Sequence, residues 1–425
     1  MLLKDLIGKK ICILGFGREG QATLAALECE KIDADITIAD RSQKAEVSGQ
    51  YRMITGDTYL DDLDQFDVII KSPGIKPNSK LEALRSKLTS ATQLFFDETN
   101  ARGSTIIGVT GTKGKSTTSS LIYEILKAAK KDVHLVGNIG IPALEFIDHA
   151  QKGIIFVMEL SSYQLMDLTV SPHIAVVTSF FPEHLDYHGT VDAYLDAKKH
   201  ITQFQTKDDL VIFNDHFKET RAIAGESGGK KIAYTEKDAP LTIDQTKLLG
   251  AHNLGNIAAA CLVSKELGID EKTALDAIKN FQGLPHRLQS LGTHHDIEWM
   301  DDAISTTPES AIAAIDALGD RVGCIILGGQ DRGLDFTSLA KRIATSSINH
   351  VILFGEDSSR IGDAIKTKHS SIKLHPATSI QEVVSIAKEV TPKGTVCLLS
   401  PASPSYDMFK NFEEKGDLFA EEIRK

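Results

Sequence analysis

The residues whose types and spacing promise chemistry are concentrated in Thr105-Ile-Ile-Gly-Val-Thr-Gly-Thr-Lys-Gly-Lys-Ser-Thr-Thr118. Glycines at 108, 111 and 114 let the backbone bend so that its N–H groups, with a following helix N-terminus, face a polyphosphate. Gly111, Thr112 and Gly114 form the cradle, Lys115 reaches the outer phosphates, and Ser116 and Thr117 open the helix, with the Ser116 hydroxyl on a magnesium ion. The pattern G-x-x-x-x-G-K-[ST] fails at its first glycine, where Val109 stands, so the stretch reads as a variant phosphate loop. A ligand-free Gly/Thr turn is the competing reading, and the strand before and helix after argue against it.

Further acids and imidazoles follow at strand ends. The run Gly153-Ile-Ile-Phe-Val-Met-Glu-Leu-Ser162 delivers Glu159 to the edge where parallel sheets bind ligands, and magnesium prefers such oxygen donors. A cap or surface ion pair is the plainer alternative for Glu159. After Ile174-Ala-Val-Val-Thr-Ser-Phe180 come Glu183, His184 and Asp186, candidates for a second metal. His184 and His188 stand four apart, a spacing that suits zinc on a helix, but further zinc ligands are not evident. Lys198 and Lys199 follow in a helical run, where one solvated face or one turn toward the anionic site both fit. Asn253 and Asn256 share a helix face; they suit either a purine or, for Asn253, a cap.

Behind these residues lies a regular alternation of strand and helix, the α/β pattern. The N-terminal stretch has a literal G-x-G-x-x-G at Gly15, Gly17 and Gly20, followed by a helix from Gln21 to Glu30 and a strand Asp35–Asp40. Asp40 lies about twenty residues beyond the glycines, where a dinucleotide fold places its ribose ligand. The unit ends near Asn100, short for a full dinucleotide site. One nucleotide half-site fits best, ahead of a nicotinamide cofactor or purely structural glycines. Ser72 and Gly74 end the third strand at the same crevice. Phe281-Gln-Gly-Leu-Pro-His-Arg-Leu288 has the Gly and Pro of a linker and places His286 and Arg287 at a domain junction, and the strands Val322–Leu327, Val351–Phe354 and Thr395–Leu399 form a last unit. Asp302, Thr306, Arg332 and Ser405 fall in its loops.

The chain has 425 residues, more than one core usually serves, and a net charge of −11, which argues against nucleic acid and anionic membrane as partners. Its apolar runs are too short to span a bilayer and Met1-Leu-Leu-Lys-Asp does not open a secretory signal, so a cytoplasmic location is expected. Five cysteines without a C-x-x-C pair read as buried thiols.

Together the motifs resemble the Mur ligase family over essentially the whole chain. The resemblance is carried by Gly108–Thr118, Met158-Glu-Leu-Ser-Ser-Tyr-Gln164, Glu183-His-Leu-Asp-Tyr-His-Gly189, Ala197-Lys198, His252-Asn-Leu-Gly-Asn256, Leu284-Pro-His-Arg287 and Leu398–Phe412. It implies three domains: a Rossmann-like UDP-binding domain (1–100), a central P-loop ATPase domain with a mainly parallel sheet (101–286) and a Rossmann-like amino-acid-binding domain (287–425). It implies a cytoplasmic ATP-dependent ligase of cell-wall (peptidoglycan) precursor synthesis, hence of cell shape and division. Its substrates would be UDP-N-acetylmuramoyl-L-alanine and D-glutamate, its cofactors ATP and two Mg2+, its state a monomer.

By family pattern Lys115, His184 and Lys198 are catalytic. Ser116, Glu159, His184 and a carbamylated Lys198 hold metal, and Asn253, Asn256, Arg287 and Asp302 join the phosphate loop around ATP. Gly15, Phe16, Gly17, Asp40, Arg41, Ser72 and Asn138 take the UDP substrate; Thr306, Arg332, Ser405 and Phe412 take the amino acid. Three departures stand out: Ala303 and Ile304 where serine and lysine are common, Arg332 for lysine, and Ser179 for asparagine. The implied mechanism forms an acyl phosphate that the amine attacks, with the base that deprotonates the amine left open. Addition of another amino acid, such as L-glutamate, is the near alternative. The remoter rivals are a nicotinamide oxidoreductase and a P-loop regulatory ATPase.

Overall fold

Short runs of Val, Ile and Leu without polar alternation are the mark of strands covered on both faces, and a computed structural model gathers these runs into three sheets. It describes residues 1–43, 51–138, 141–368 and 371–425. The first sheet holds β1 (Lys10–Leu14), β2 (Asp35–Asp40), β3 (Arg52–Thr55), β4 (Val68–Lys71) and β5 (Leu88–Thr89), in the order β3-β2-β1-β4-β5 and all parallel. The second holds β6 (Thr105–Thr110), β7 (Val133–Gly137), β8 (Ile155–Glu159), β9 (Ile174–Val177), β10 (Leu210–Asn214) and β11 (Lys230–Tyr234), ordered β11-β10-β9-β6-β8-β7 and again parallel.

The third sheet holds β12 (Gln289–His294), β13 (Ile297–Asp301), β14 (Val322–Leu327), β15 (His350–Phe354), β16 (Lys373–Ala377) and β17 (Val396–Leu399), ordered β12-β13-β17-β14-β15-β16. Only the β12–β13 hairpin is antiparallel, and its turn residues His295 and Asp296 both have positive φ, as a tight hairpin turn demands. The α/β class with three sheet-centred domains therefore stands. The first two sheets lie in one compact body, Met1–Thr246 with His252–Phe281; the third lies in another, Lys247–Ala251 with Gln282–Lys425. Within the first body the two sheets share one apolar core, where the rings of Phe95 and Phe156 meet edge to face at 5.0 Å.

Each sheet changes direction of winding beside a central strand, and parallel sheets bind ligands at such points. These are the C-terminal ends of β1 and β4, of β6 with β8 and β9, and of β14 with β17. The strands that sequence alone did not mark are β3, β5, β7, β10, β11, β12 and β16. All but β10 are partly exposed or very short, so no continuous apolar run marks them. Pro376 in β16 is tolerated because that strand is an edge.

Glycine is required where helix meets strand in the first unit. The helix Arg18–Cys29 packs so closely that a Cβ on Gly20 would collide with the carbonyl oxygen of Gly15. In the second body a charge is buried instead. Lys415, on the helix Phe412–Arg424, is 1% exposed and donates to Gly328 O at 2.8 Å, with Nζ over the rings of Phe354 and Phe409. Burial lowers its pKa from 10.5 to about 8, against the pull of Asp407 and Asp357.

Two outcomes follow. Gly20→Ala should lower the urea midpoint, at a cost of about 1–3 kcal/mol for overpacking; an unchanged midpoint would show that the helix can shift freely. For Lys415, the unfolded chain binds more protons than the folded one between pH 8 and 10.5, so stability rises with pH across that window and the penalty is complete below it. Compared with Lys415→Met, wild-type unfolding free energy should therefore climb there by up to roughly 1.4 kcal/mol per pH unit. A difference independent of pH would mean that the amine is not buried as a charge.

Candidate functional site

The glycine loop after β6 is formed by backbone that side chains would obstruct. Gly111 has φ +150 and a Cβ there would strike Thr178 Oγ1, while Gly114 has φ +88 and its Cβ would lie 2.5 Å from Asn256 Oδ1. Gly114 caps the helix Lys115–Ala128, so Lys115, Ser116 and Thr117 form its first turn with N–H groups facing the loop. The residues after β9 pin the loop from beside. Ser179 Oγ donates to Lys113 O and accepts from Lys113 N, at 2.9 and 2.8 Å, and Thr178 Oγ1 donates to the same carbonyl at 2.7 Å. The serine at position 179 thus holds the Lys113 peptide. Thr112, buried, accepts from Phe181 N at 2.9 Å and lies 3.2 Å from Tyr194 Oη.

Two lysines converge on this loop. Lys115 Nζ donates to the carbonyls of Gly111 and Thr112 at 3.2 and 3.0 Å. Lys198 Nζ also reaches Gly111 O, at 2.9 Å, and lies 4.7 Å from the Tyr194 ring centroid. Lys198 belongs to the helix Val191–Gln203 and is 1% exposed. Burial, and then the nearby charge of Lys115, hold its pKa well below the usual lysine range. Such an environment disfavours the charged form of the amine. Of the two adjacent lysines the structure turns 198 inward, while Lys199 pairs with Asp196 at 2.9 Å.

Glu159, at the end of β8, is 2% exposed; its Oε1 accepts from Asn138 Nδ2 at 2.7 Å and its Oε2 is buried without a hydrogen-bond partner. A buried carboxylate oxygen left so is costly unless a cation meets it. That orphan, beside a hydroxyl-bearing helix start, fits a hard divalent ion. His184 has a left-handed backbone (φ 59), and its Nε2 lies 3.8 Å from Glu183, whose other oxygen pairs with Lys113 at 2.5 Å. Burial lowers the His184 pKa against the pull of Glu183, and Lys115 and Lys198 add to the lowering, which favours the neutral imidazole that a metal takes. His188 hydrogen-bonds Ser162 at 2.9 Å. Among the described residues no three His, Cys, Asp or Glu side chains converge as a zinc site needs.

Asn256 lies under the loop. Its carbonyl oxygen accepts from Thr118 Oγ1 at 3.1 Å and its amide donates to Asn253 Oδ1 at 2.8 Å. Both asparagines are buried at the start of the helix Asn253–Glu266, so their shared face supports the phosphate loop directly.

At the first sheet, Gly15, Phe16, Gly17, Asp40 and Ser72 meet. Phe16 N donates to Asp40 Oδ2 at 2.6 Å, and Ser72 Oγ donates to Gly15 O at 2.8 Å. Arg41 is highly exposed, 3.8 Å from Asp57. Asn138 is at the end of β7, on the second sheet; Ile139 and Gly140 of its motif lie outside the described residues.

The remaining candidates belong to the second body. Arg287 is exposed. Asp302 is 3% exposed, accepts from Ser400 Oγ at 2.8 Å and from Leu288 N at 3.2 Å, and burial pushes its pKa up to about 6. Ala303, which departs from the serine common in the family the sequence resembles, is fully buried. Thr306 precedes the helix Pro308–Leu318, and Phe412 opens the last helix with its ring 6.1 Å from His286. Loops after β14 and β17 interlock, Gln330 N donating to Pro404 O at 2.7 Å, and Ser405 Oγ is buried without a partner. Arg332 Nε donates to Gln330 Oε1 at 3.0 Å, and its guanidinium lies 5.7 Å from the Tyr406 ring centroid.

Sequence reading missed Asp357 and Lys415, which hold these loops. Asp357 accepts from Gly329 N at 2.9 Å and from Ser403 Oγ. The one signal was spacing: Lys415, Phe419 and Ile423 recur every four residues on the buried helix face.

Comparison with known proteins agrees with this geometry. Residues 109–246 match the model of the Mur ligase middle domain, and residues 286–403 that of the Mur ligase, glutamate ligase domain. The chain is 34% identical to the UDP-N-acetylmuramoyl-L-alanine--L-glutamate ligase of Salinispora tropica, over 100% of this chain and 99% of that one. It is 32% identical to the UDP-N-acetylmuramoylalanine--D-glutamate ligase of Clostridium tetani, over 99% and 98%. In fold it is similar to the UDP-N-acetylmuramate-alanine ligase of Thermotoga maritima (TM-score 0.62, 17% identity, 98% and 99% covered). The MurF ligase of the same organism, solved in complex with ADP, gives 0.61 at 17% identity, with 99% and 96% covered. With likeness to glutamate ligases carried over its full length, the chain belongs to the Mur ligase family.

Proposed function

We propose that this ATP-dependent ligase joins D-glutamate to UDP-N-acetylmuramoyl-L-alanine, a step of peptidoglycan precursor synthesis, as a cytoplasmic monomer with domains divided after residues 100 and 286. The observation that carries the reading is the pair of lysines on Gly111 O together with the unpartnered Glu159 carboxylate at the end of the neighbouring strand β8. The names of full-length relatives supply the substrates. L-glutamate is a second reading, favoured by the name of the Salinispora tropica relative.

The substrate carboxylate attacks the γ-phosphorus of ATP, ADP leaves, and the acyl phosphate formed is attacked by the amino-acid nitrogen as phosphate departs. Two anions must meet in the first step. Lys115 and the N–H groups of the loop neutralise charge on the transferring group, and positioning supplies most of the rest. Ser116, Glu159, His184 and Lys198, carbamylated, would hold two Mg2+, which when bound screen the phosphate oxygens. The lowered pKa of Lys198 favours that modification, since the nitrogen must attack carbon dioxide as the free amine and lose a proton. Asn253 and Asn256, with Arg287 and Asp302, serve the nucleotide. Gly15, Phe16, Gly17, Asp40, Arg41, Ser72 and Asn138 serve the UDP substrate, and Thr306, Arg332, Ser405 and Phe412 the amino acid. Arg332 can grip the side-chain carboxylate with two parallel hydrogen bonds.

Phosphate release from ATP with UDP-N-acetylmuramoyl-L-alanine, assayed against D- and L-amino acids, should be stimulated by D-glutamate. Stimulation by L-glutamate alone would select the second reading, and by neither would reject both. Lys115→Ala should reduce kcat by about 10²–10³-fold with an unchanged melting temperature; near-wild-type turnover would remove Lys115 from the mechanism.

A further inference from the structure

The segment that carries His184 is short and makes few bonds to itself. It consists of the single turn Leu185–His188, bounded by His184 in left-handed conformation and by Gly189 at φ +79. Its position must therefore come from outside contacts. Tyr187 supplies the central one. Its Oη donates to Pro73 O at 2.8 Å and to Ile75 O at 3.0 Å, one proton shared between the two carbonyls of the turn that follows β4. Two lysines reinforce the same junction. Lys76 Nζ donates to Asp186 O at 2.8 Å, and Lys71, 4% exposed, pairs with Asp167 at 2.9 Å while lying 3.5 Å from Ile75 O.

On one side this turn is continuous with the glycine loop of the first sheet. Ser72 N donates to Leu14 O and Ser72 Oγ to Gly15 O, and Gly15 has no room for a Cβ, which would lie 2.8 Å from Ser72 Cβ. On the other side the Tyr187 ring meets Tyr163 at 4.3 Å, and Tyr163 meets His184 at 5.2 Å. His184 in turn lies 6.0 Å from Tyr194, whose hydroxyl is 3.2 Å from Thr112 Oγ1 in the phosphate loop. A phenylalanine would bury the same ring yet leave Pro73 O unanswered and Ile75 O with only the longer contact from Lys71, so the phenol oxygen is what joins the two edges.

We propose that Tyr187 is a positioning residue that ties the Ser72–Ile75 turn to His184, so that filling the nucleotide side of the first sheet sets the metal-ligating side chain beside the phosphate loop. The proposal rests on the assignment of the Gly15–Ser72 edge to the UDP substrate. Because such coupling is reciprocal, each ligand tightens the other.

Calorimetry on the full chain tests this, measuring Kd for a non-hydrolysable ATP analogue with Mg2+, with and without saturating UDP-N-acetylmuramoyl-L-alanine, and the reverse titration. In wild type the second ligand should tighten the first by about five-fold or more. In Tyr187→Phe that ratio should fall to about one, while each ligand alone binds within about two-fold of wild type and the melting temperature holds. Retained coupling in Tyr187→Phe, or wild-type binding of both ligands without coupling, overturns the proposal. Loss of both single-ligand affinities together with a lowered melting temperature also overturns it, since that is a merely structural role. Failure of wild type to bind the UDP substrate by itself removes the assignment of the first sheet, and the coupling with it.

Discussion

The carbonyl oxygen of Gly111 accepts hydrogen bonds from two lysines, Lys115 and Lys198, at the ends of strands that leave no room for a side chain at that position. Two ammonium groups sharing one acceptor inside a protein repel strongly. Burial first, and then the neighbouring charge of Lys115, depress the pKa of Lys198, which eases that conflict. Glu159 Oε2, at the end of the neighbouring strand β8, is buried without a hydrogen-bond partner. The site is thus poised with a fixed cation on one side and an unmet anion on the other, which is the electrostatic demand of binding a metal-complexed polyphosphate.

Everything near this point serves to hold the glycine loop still. Ser179 and Thr178 grip the Lys113 peptide from β9, Asn256 blocks the space beside Gly114, and Thr112 is fixed between Phe181 and Tyr194. Preorganised dipoles cost no rearrangement when charge develops. The second body uses the same physics at another loop pair. Lys415, Asp357 and Ser403 tie the segments after β14 and β17 with buried polar contacts, and His286 bonds Asp301 at 2.8 Å where Gly416 alone leaves space. In both places buried polar groups are satisfied mainly by backbone, so the loops cannot move without leaving groups unpaired.

The chain's glycine patterns, apolar strand runs and strand-end residues were enough to place Lys115, Ser116, Glu159 and Asp40 at sheet edges, and to read the α/β class and the family. Those features are local: strand, tight turn and helix start are written in consecutive residues. The partly exposed strands β3, β5, β12 and β16 escaped notice because their residues bury little and their pairing comes from neighbours distant in sequence. Only the tertiary structure decided between Lys198 and Lys199, since both lie on one helix and burial against the phosphate loop distinguishes them. It alone turned Asn256 toward Thr118, joined Asn138 to Glu159, and set Tyr187 on the turn after β4. Such pairings depend on which side chains share a small buried volume once the sheets are packed. Residue type and spacing determine what chemistry the chain can do, but the environment that shifts a pKa or leaves an oxygen unmet exists only after folding.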